Sequence, residues 1–261
     1  MESMSKINKR IVVFLLATFG LMYLSHGLIA ILLNMNLVEW DNFPLNLLSI
    51  IGGGAPAFAA LLIVYKMYNK KEQEGYWKKV FLLKVHWFWW VIAIISPFLI
   101  GLISNIVYKG GWFYPEIDMM NILMFPVSLA FMVFAGGAEE LGWRGILQEK
   151  LSKKQNLIVT GIVIGVLWGV WHLPLFLIDV FAHYEYAFST YMFSTVIYSL
   201  LLTLVFYKTG SVMLAIVMHA SINAFGNLGF RIPMEVHGGL WVLFVILFII
   251  FASILYLVEK K

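Results

Sequence analysis

The chain has 261 residues, 62% of them hydrophobic and 12% charged, with 18 Lys and Arg against 14 Asp and Glu. Soluble chains carry roughly 25% charged residues, so this composition excludes a soluble domain and leaves a polytopic membrane protein. The absence of cysteine removes disulfides, thiol catalysis, thiolate metal sites and prenyl or palmitoyl anchoring of this chain.

Apolar stretches of about 20 residues predict an all-α membrane helix bundle. About eight transmembrane helices are expected, near 11–33, 45–66, 87–107, 121–147, 157–178, 187–207, 210–229 and 239–257. The first stretch is too long for a signal-peptide core, and no small-x-small cleavage site follows before Asn34, so it reads as a retained helix. Gly52-Gly53-Gly54-Ala55-Pro56 opens the second. With apolar surroundings and no Lys-Ser or Lys-Thr after it, this run predicts close helix contact rather than phosphate binding. The basic and aromatic stretch 76–84 suits a short interfacial helix, and Trp87, Trp89 and Trp90 follow where an aromatic belt would sit. Pro97 predicts a kink in the third span. No internal repeat of the transporter kind is visible, and 1–261 reads as one domain.

Basic residues set the expected orientation. Lys6, Lys9 and Arg10 precede the first span, and Lys66, Lys70, Lys71, Lys78, Lys79 and Lys84 lie between the second and third. Arg144, Lys150, Lys153 and Lys154 follow the fourth stretch, Lys208 separates the sixth from the seventh, and Lys260 and Lys261 close the chain. These 16 share one side of an eight-span arrangement; Lys109 and Arg231 take the other, with Glu39, Asp41, Glu116, Asp118, Asp179, Glu185 and Glu235. The positive-inside rule then places both termini in the cytosol. The net charge of +4 reports topology, and no nucleic-acid partner is expected.

Few polar groups remain at membrane depth: Glu139, Glu140, Arg144, His172, His219 and Asn223. A carboxylate at the bilayer centre costs roughly 2.5–3.5 kcal/mol on insertion scales, so two adjacent ones need partners or a watery cavity. Glu140 and Arg144 are four apart on one helix face and can pair. Glu139 lies about 100° further round, with Trp143 as its i+4 neighbour, and is left for general-base chemistry. His172 falls well inside the fifth span, one turn after Trp168, and His219 and Asn223 project together from the seventh. Each feature alone has a structural reading; three on three helices point to one converging polar site.

The zinc-peptidase His-Glu-x-x-His, the Gly-x-Ser-x-Gly elbow and the Gly-x-Gly-Asp of intramembrane aspartyl proteases are all missing. A carboxylate, two histidines and an amide fit water-mediated hydrolysis of a carbonyl, with Glu139 and His172 deprotonating water and His219 and Asn223 holding the oxyanion.

Glu-Glu-x-x-x-Arg (139–144), aromatic-x-x-x-His (168–172) and His-x-x-x-Asn (219–223), in that order on successive membrane helices, resemble the CPBP family of intramembrane proteases. That family, also called Abi, joins CAAX prenyl proteases with bacteriocin-processing enzymes. The resemblance covers about 139–225 and departs at Trp168, where the family usually has Phe. It implies Glu139 and His172 as the water-activating pair and His219 and Asn223 as oxyanion stabilisers, with Glu140, Arg144 and Trp168 in support. The family is commonly labelled a metalloprotease, and Glu139, His172 and His219 would be a legitimate zinc set; a metal-free mechanism is favoured because Asn223 beside His219 suits an oxyanion hole better. The expectation is a membrane endopeptidase, of bacterial cell-membrane type, acting on lipidated or membrane-associated peptides near the cytosolic surface of the bilayer. The alternatives are a non-catalytic bacteriocin-immunity or membrane scaffold protein, and a small transporter using Glu139 and His172 as a proton relay.

Overall fold

The computed structural model describes residues 4–40, 42–111 and 119–260. Asp41, Glu116, Asp118 and Lys261 of the orientation argument lie outside them. The described residues form helices and no strand, as the apolar runs require: in lipid, a helix satisfies its own backbone polar groups.

Helix α1 (Met4–Asn34) packs against a bent pair, α2 (Phe43–Gly53) and α3 (Ala55–Met67), whose axes turn by 60°. The break falls at Gly54, with Pro56 in the first turn of α3, so the glycine-proline run divides the second apolar stretch rather than opening it. Gly52 does make the predicted close contact, since a methyl there would collide with the side chains of Ser25 and His26.

Helix α4 (Lys70–Val80) starts at a reciprocal capping box between Asn69 and Glu72 and stops before the end of the predicted 76–84 segment. Pro97 lies within the continuous helix α5 (Trp87–Lys109). The fourth stretch begins as α6 (Met119–Phe134) and then loses regularity. A 3-10 turn (Gly136–Glu139), one turn of α7 (Glu140–Gly142), a π turn (Trp143–Gln148) and one turn of α8 (Glu149–Leu151) follow. Helix α9 (Leu157–Trp171) is capped by Asn156 and leads into a 3-10 turn (Leu173–Leu177). Helices α10 (Phe188–Thr209), α11 (Val212–Asn227) and α12 (Gly238–Glu259) complete the bundle.

Among the described residues six helical segments are long and apolar enough to cross a membrane, and the bent pair can act as a seventh. The seventh expected span, near 210–229, corresponds to α11, which at 16 residues reaches about 24 Å, short of a bilayer's hydrocarbon core.

Helices α9 and α10 form the tightest pair. Gly161, Gly165 and Gly169 recur every fourth residue on one face of α9, and a methyl at Gly165 would lie 2.6 Å from the Cα of Val196. Small residues at this spacing let backbones approach where lipid offers no hydrophobic drive between helices.

Polar contacts gather the Lys- and Arg-rich segments at one end of the bundle. Arg10 pairs with Glu72 at 2.7 Å and Lys79 with Glu149 at 2.6 Å, while Lys154 meets Asn8. The Leu157 N–H donates to the Glu259 carboxylate and the Ser211 hydroxyl to the Leu82 carbonyl. At the opposite end Asn34 reaches the Leu177 carbonyl, Asn105 the Arg231 carbonyl, and Arg231 the Tyr186 hydroxyl. Arg144 is a correction to the charge count: it is fully buried in the bundle and is no loop residue.

Candidate active site

The break in the fourth stretch delivers the two glutamates. Gly136 and Gly137, just after α6, lie against α11, and neither position has room for a side chain. A methyl at Gly136 would collide with Asn223 Nδ2 and come within 3.2 Å of His219 Nε2; one at Gly137 would sit 2.8 Å from the Ile216 carbonyl oxygen. The backbone therefore lies directly on α11, and Glu139 and Glu140 enter the core at 6% and 0% exposure.

Glu140 has two partners. Its Oε2 is 3.0 Å from Arg144 Nη1, the predicted i,i+4 pair, and its Oε1 is 2.8 Å from His219 Nδ1. The guanidinium is held on its far side by donation to the hydroxyl and carbonyl of Ser199 at 3.1 and 3.3 Å. A carboxylate can only accept, so His219 Nδ1 carries a proton and Nε2 points towards Gly136 and the Asn223 amide.

Glu139 is not left without partners, contrary to the sequence reading. Its Oε2 accepts from the indole N–H of Trp143 at 3.2 Å and of Trp168 at 2.9 Å. It has no cationic partner comparable to Arg144, and two neutral donors fix its orientation while the carboxylate still faces a cavity. Trp168 also lies edge-on to the rings of His219 and His172, with centroids 5.0 and 6.0 Å away. At this position Trp supplies a hydrogen-bond donor as well as a wall, which Phe could not do.

His172 is the C-cap of α9 and lies inside the candidate membrane span Leu157–Leu177. Pro174 explains the stop, because a proline disfavours helical backbone at the residue before it. The His172 Nδ1 donates to the Trp168 carbonyl at 2.9 Å, which leaves Nε2 as the acceptor nitrogen of the neutral ring.

Glu139, His172, His219 and Asn223 all line one cavity of about 330 Å³. Four side chains from three distant stretches thus line the same cavity. The cavity also brings in His183, Tyr186, Tyr191 and Arg231, which sequence reading missed. His183 stacks on His172 with centroids 5.6 Å apart and planes 15° from parallel, and Tyr191 packs edge-on against both. Burial lowers the His183 pKa to about 4, so this loop imidazole is neutral at neutral pH. His183 and Arg231 lie in irregular segments, where no helical spacing marks them.

Among the described residues no group of three His, Cys, Asp or Glu side chains is placed to hold a metal ion. In the expected zinc set one Glu139 oxygen is bonded to two indoles, His219 Nδ1 to Glu140 and His172 Nδ1 to a backbone carbonyl, which leaves the second Glu139 oxygen and the two Nε2 atoms, and these are not placed together around one ion. The side chains as they stand do not fit a zinc ligand sphere.

The rim of the cavity, formed by exposed Asn227 and Arg231 with Tyr186 and Met234, belongs to the end with few basic residues. This separates two sequence expectations. A basic end in the cytosol and cleavage near the cytosolic surface cannot both hold for this fold.

A family model described as Type II CAAX prenyl endopeptidase Rce1-like matches residues 121–225. The CAAX prenyl protease 2 of Methanococcus maripaludis is 25% identical over 197 residues, which cover 68% of this chain and 70% of that relative. The match to the family model contains Glu139, Glu140, Arg144, Trp168, His172, His219 and Asn223, and ends before Arg231. Over this region the chain is similar to CAAX-type intramembrane proteases, and its long apolar helices are those of a multi-pass membrane protein.

Proposed function

We propose that this protein hydrolyses peptide bonds of membrane-associated substrates with a water molecule activated by Glu139 and His172. The observation that carries the proposal is the convergence of Glu139, His172, His219 and Asn223 on one buried cavity. Glu139, oriented by Trp143 and Trp168, takes a proton from the water, and the acceptor Nε2 of His172 helps to align it. The water oxygen bonds to the scissile carbonyl carbon, and the C=O electrons move onto the oxygen. The Asn223 amide N–H and His219 Nε2–H donate to that oxyanion. For His219 this role needs protons on both ring nitrogens, with Glu140 as the counter-charge. Collapse of the intermediate breaks the C–N bond, and the proton taken up by Glu139 passes to the leaving amine.

Glu140, Arg144 and Ser199 are positioning groups that fix the His219 ring and tie α7 to α10 and α11. This reaction routes no step through a metal. The named relative suggests prenylated peptides ending in a CAAX sequence as one substrate class, alongside precursors of secreted peptides and membrane-protein tails.

The test compares membrane proteomes and released peptides from cells carrying the wild-type protein or Glu139→Gln, with a farnesylated CAAX peptide as an in vitro probe. Fragments that disappear with Glu139→Gln are expected. Identical peptide profiles, with the variant present in the membrane at wild-type level, would sink the proposal and favour a scaffold or immunity role. Chelation of purified protein is expected to leave cleavage intact; loss of one equivalent of zinc together with activity would overturn the metal-free step.

A further inference from the structure

Three observations bear on the side from which this cavity is reached. First, the contacts of Arg10, Glu72, Lys79, Glu149, Lys154 and Glu259 gather the Lys- and Arg-rich segments at one end of the bundle. Second, the floor of the site faces that end and is covered. The Tyr76 hydroxyl of α4 donates to the Leu141 carbonyl at 3.0 Å, and its ring fills the space beside Gly145. Third, the open side faces the other way. A second, more polar cavity of about 630 Å³ shares Tyr186, Asn227, Arg231 and Met234 with the first and continues outward to Lys109, Glu185 and Glu235. The two form one path from the base-poor face to Glu139.

Short loops rich in Lys and Arg stay on the cytosolic side of a membrane. With Arg144 set aside as part of the site's own ion pair, 14 of the remaining 16 Lys and Arg among the described residues belong to the basic end, while the mouth has Lys109 and Arg231. We infer that the catalytic cavity is entered from the extracytoplasmic side, so that the substrates are peptide segments presented at the outer face of the membrane. Segments exposed only to the cytosol meet the covered floor. The substrate class rests on the protease reading above; the direction of entry does not.

Because the natural chain has no cysteine, single cysteines report sidedness without background. Glu185→Cys and Glu235→Cys flank the mouth at exposed positions, and Lys153→Cys and Lys208→Cys mark the basic end. Intact cells are treated with a membrane-impermeant maleimide and compared with permeabilised cells. Mass-shifted protein is expected for the two mouth variants in intact cells, and for the two basic-end variants only after permeabilisation. The reverse pattern, or equal labelling of all four in intact cells, overturns the inference. Two positions at each end guard against one variant failing to fold. Labelling is independent of cleavage, so a failed protease test and a failed sidedness test remain distinguishable.

Discussion

Glu140 and Asn223 sit on opposite sides of His219 and differ in what the fold asks of them. The Glu140 carboxylate is fully buried against Arg144 and His219, whereas the half-buried Asn223 amide faces the cavity. Removing one partner of a buried ion pair strands the other charge and costs roughly 3–5 kcal/mol. Glu140→Gln is therefore expected to lower the unfolding temperature in detergent sharply and to lose activity as a consequence. Asn223→Ala is expected to unfold as the wild type does while turnover of a cleaved reporter peptide falls by about 10²–10³, the usual cost of one oxyanion donor. Similar melting of the two variants would dissolve this distinction. The i,i+4 arithmetic made the Glu140–Arg144 and His219–Asn223 pairs legible in the sequence. The bond from Glu140 to His219 was not, because it joins residues 79 apart in the chain through packing that no local pattern encodes.

Apolar run length located the long membrane helices but not their interruptions, and it carried no sign of the polar helix α4. The fourth stretch is apolar up to its break, and the local sign of trouble is the pair Gly136-Gly137 just before the charged residues. A proline two positions on similarly ends α9 at His172. The glycine ridge of α9 was readable from its four-residue spacing, although spacing alone does not name α10 as the partner. Gly165→Leu tests that contact. Overpacking a close interface costs about 1–3 kcal/mol, so the variant should melt earlier than wild type, while the same change at Gly20, where a methyl would meet nothing within 4 Å, should not. The π turn 143–148 has a positional role as well. It carries Arg144 of the buried ion pair and runs directly into Glu149, which is tied to Lys79, so the irregular backbone joins two fixed attachments.

For the molecule as a whole, charge asymmetry and the all-helical class were legible because they follow from composition, whereas the direction of the cavity required the three-dimensional path of the chain. The basic end carries its own acid sensitivity. Hydrogen bonding to Arg10 holds the Glu72 carboxyl down to about 2, from an ordinary 4.5. A carboxyl lowered in the folded state contributes stability that is present above pH 4.5 and is lost as pH falls towards 2. Glu72→Gln should lower the unfolding temperature at neutral pH and flatten its decline across that acid window; an unchanged pH profile would count against this pair. The distribution of these contacts also has a mechanical consequence. Charged and capping bonds clamp α1, α4, α8, α9 and α12 together at the basic end, while ring stacking and single hydrogen bonds hold the rim around His183 and Arg231. The bundle is built like tweezers, with its pivot at the charged end and its tips at the mouth. Amide exchange should then be fastest in 182–187 and slowest where α4 covers 141–145, and the reverse order would place the pivot elsewhere.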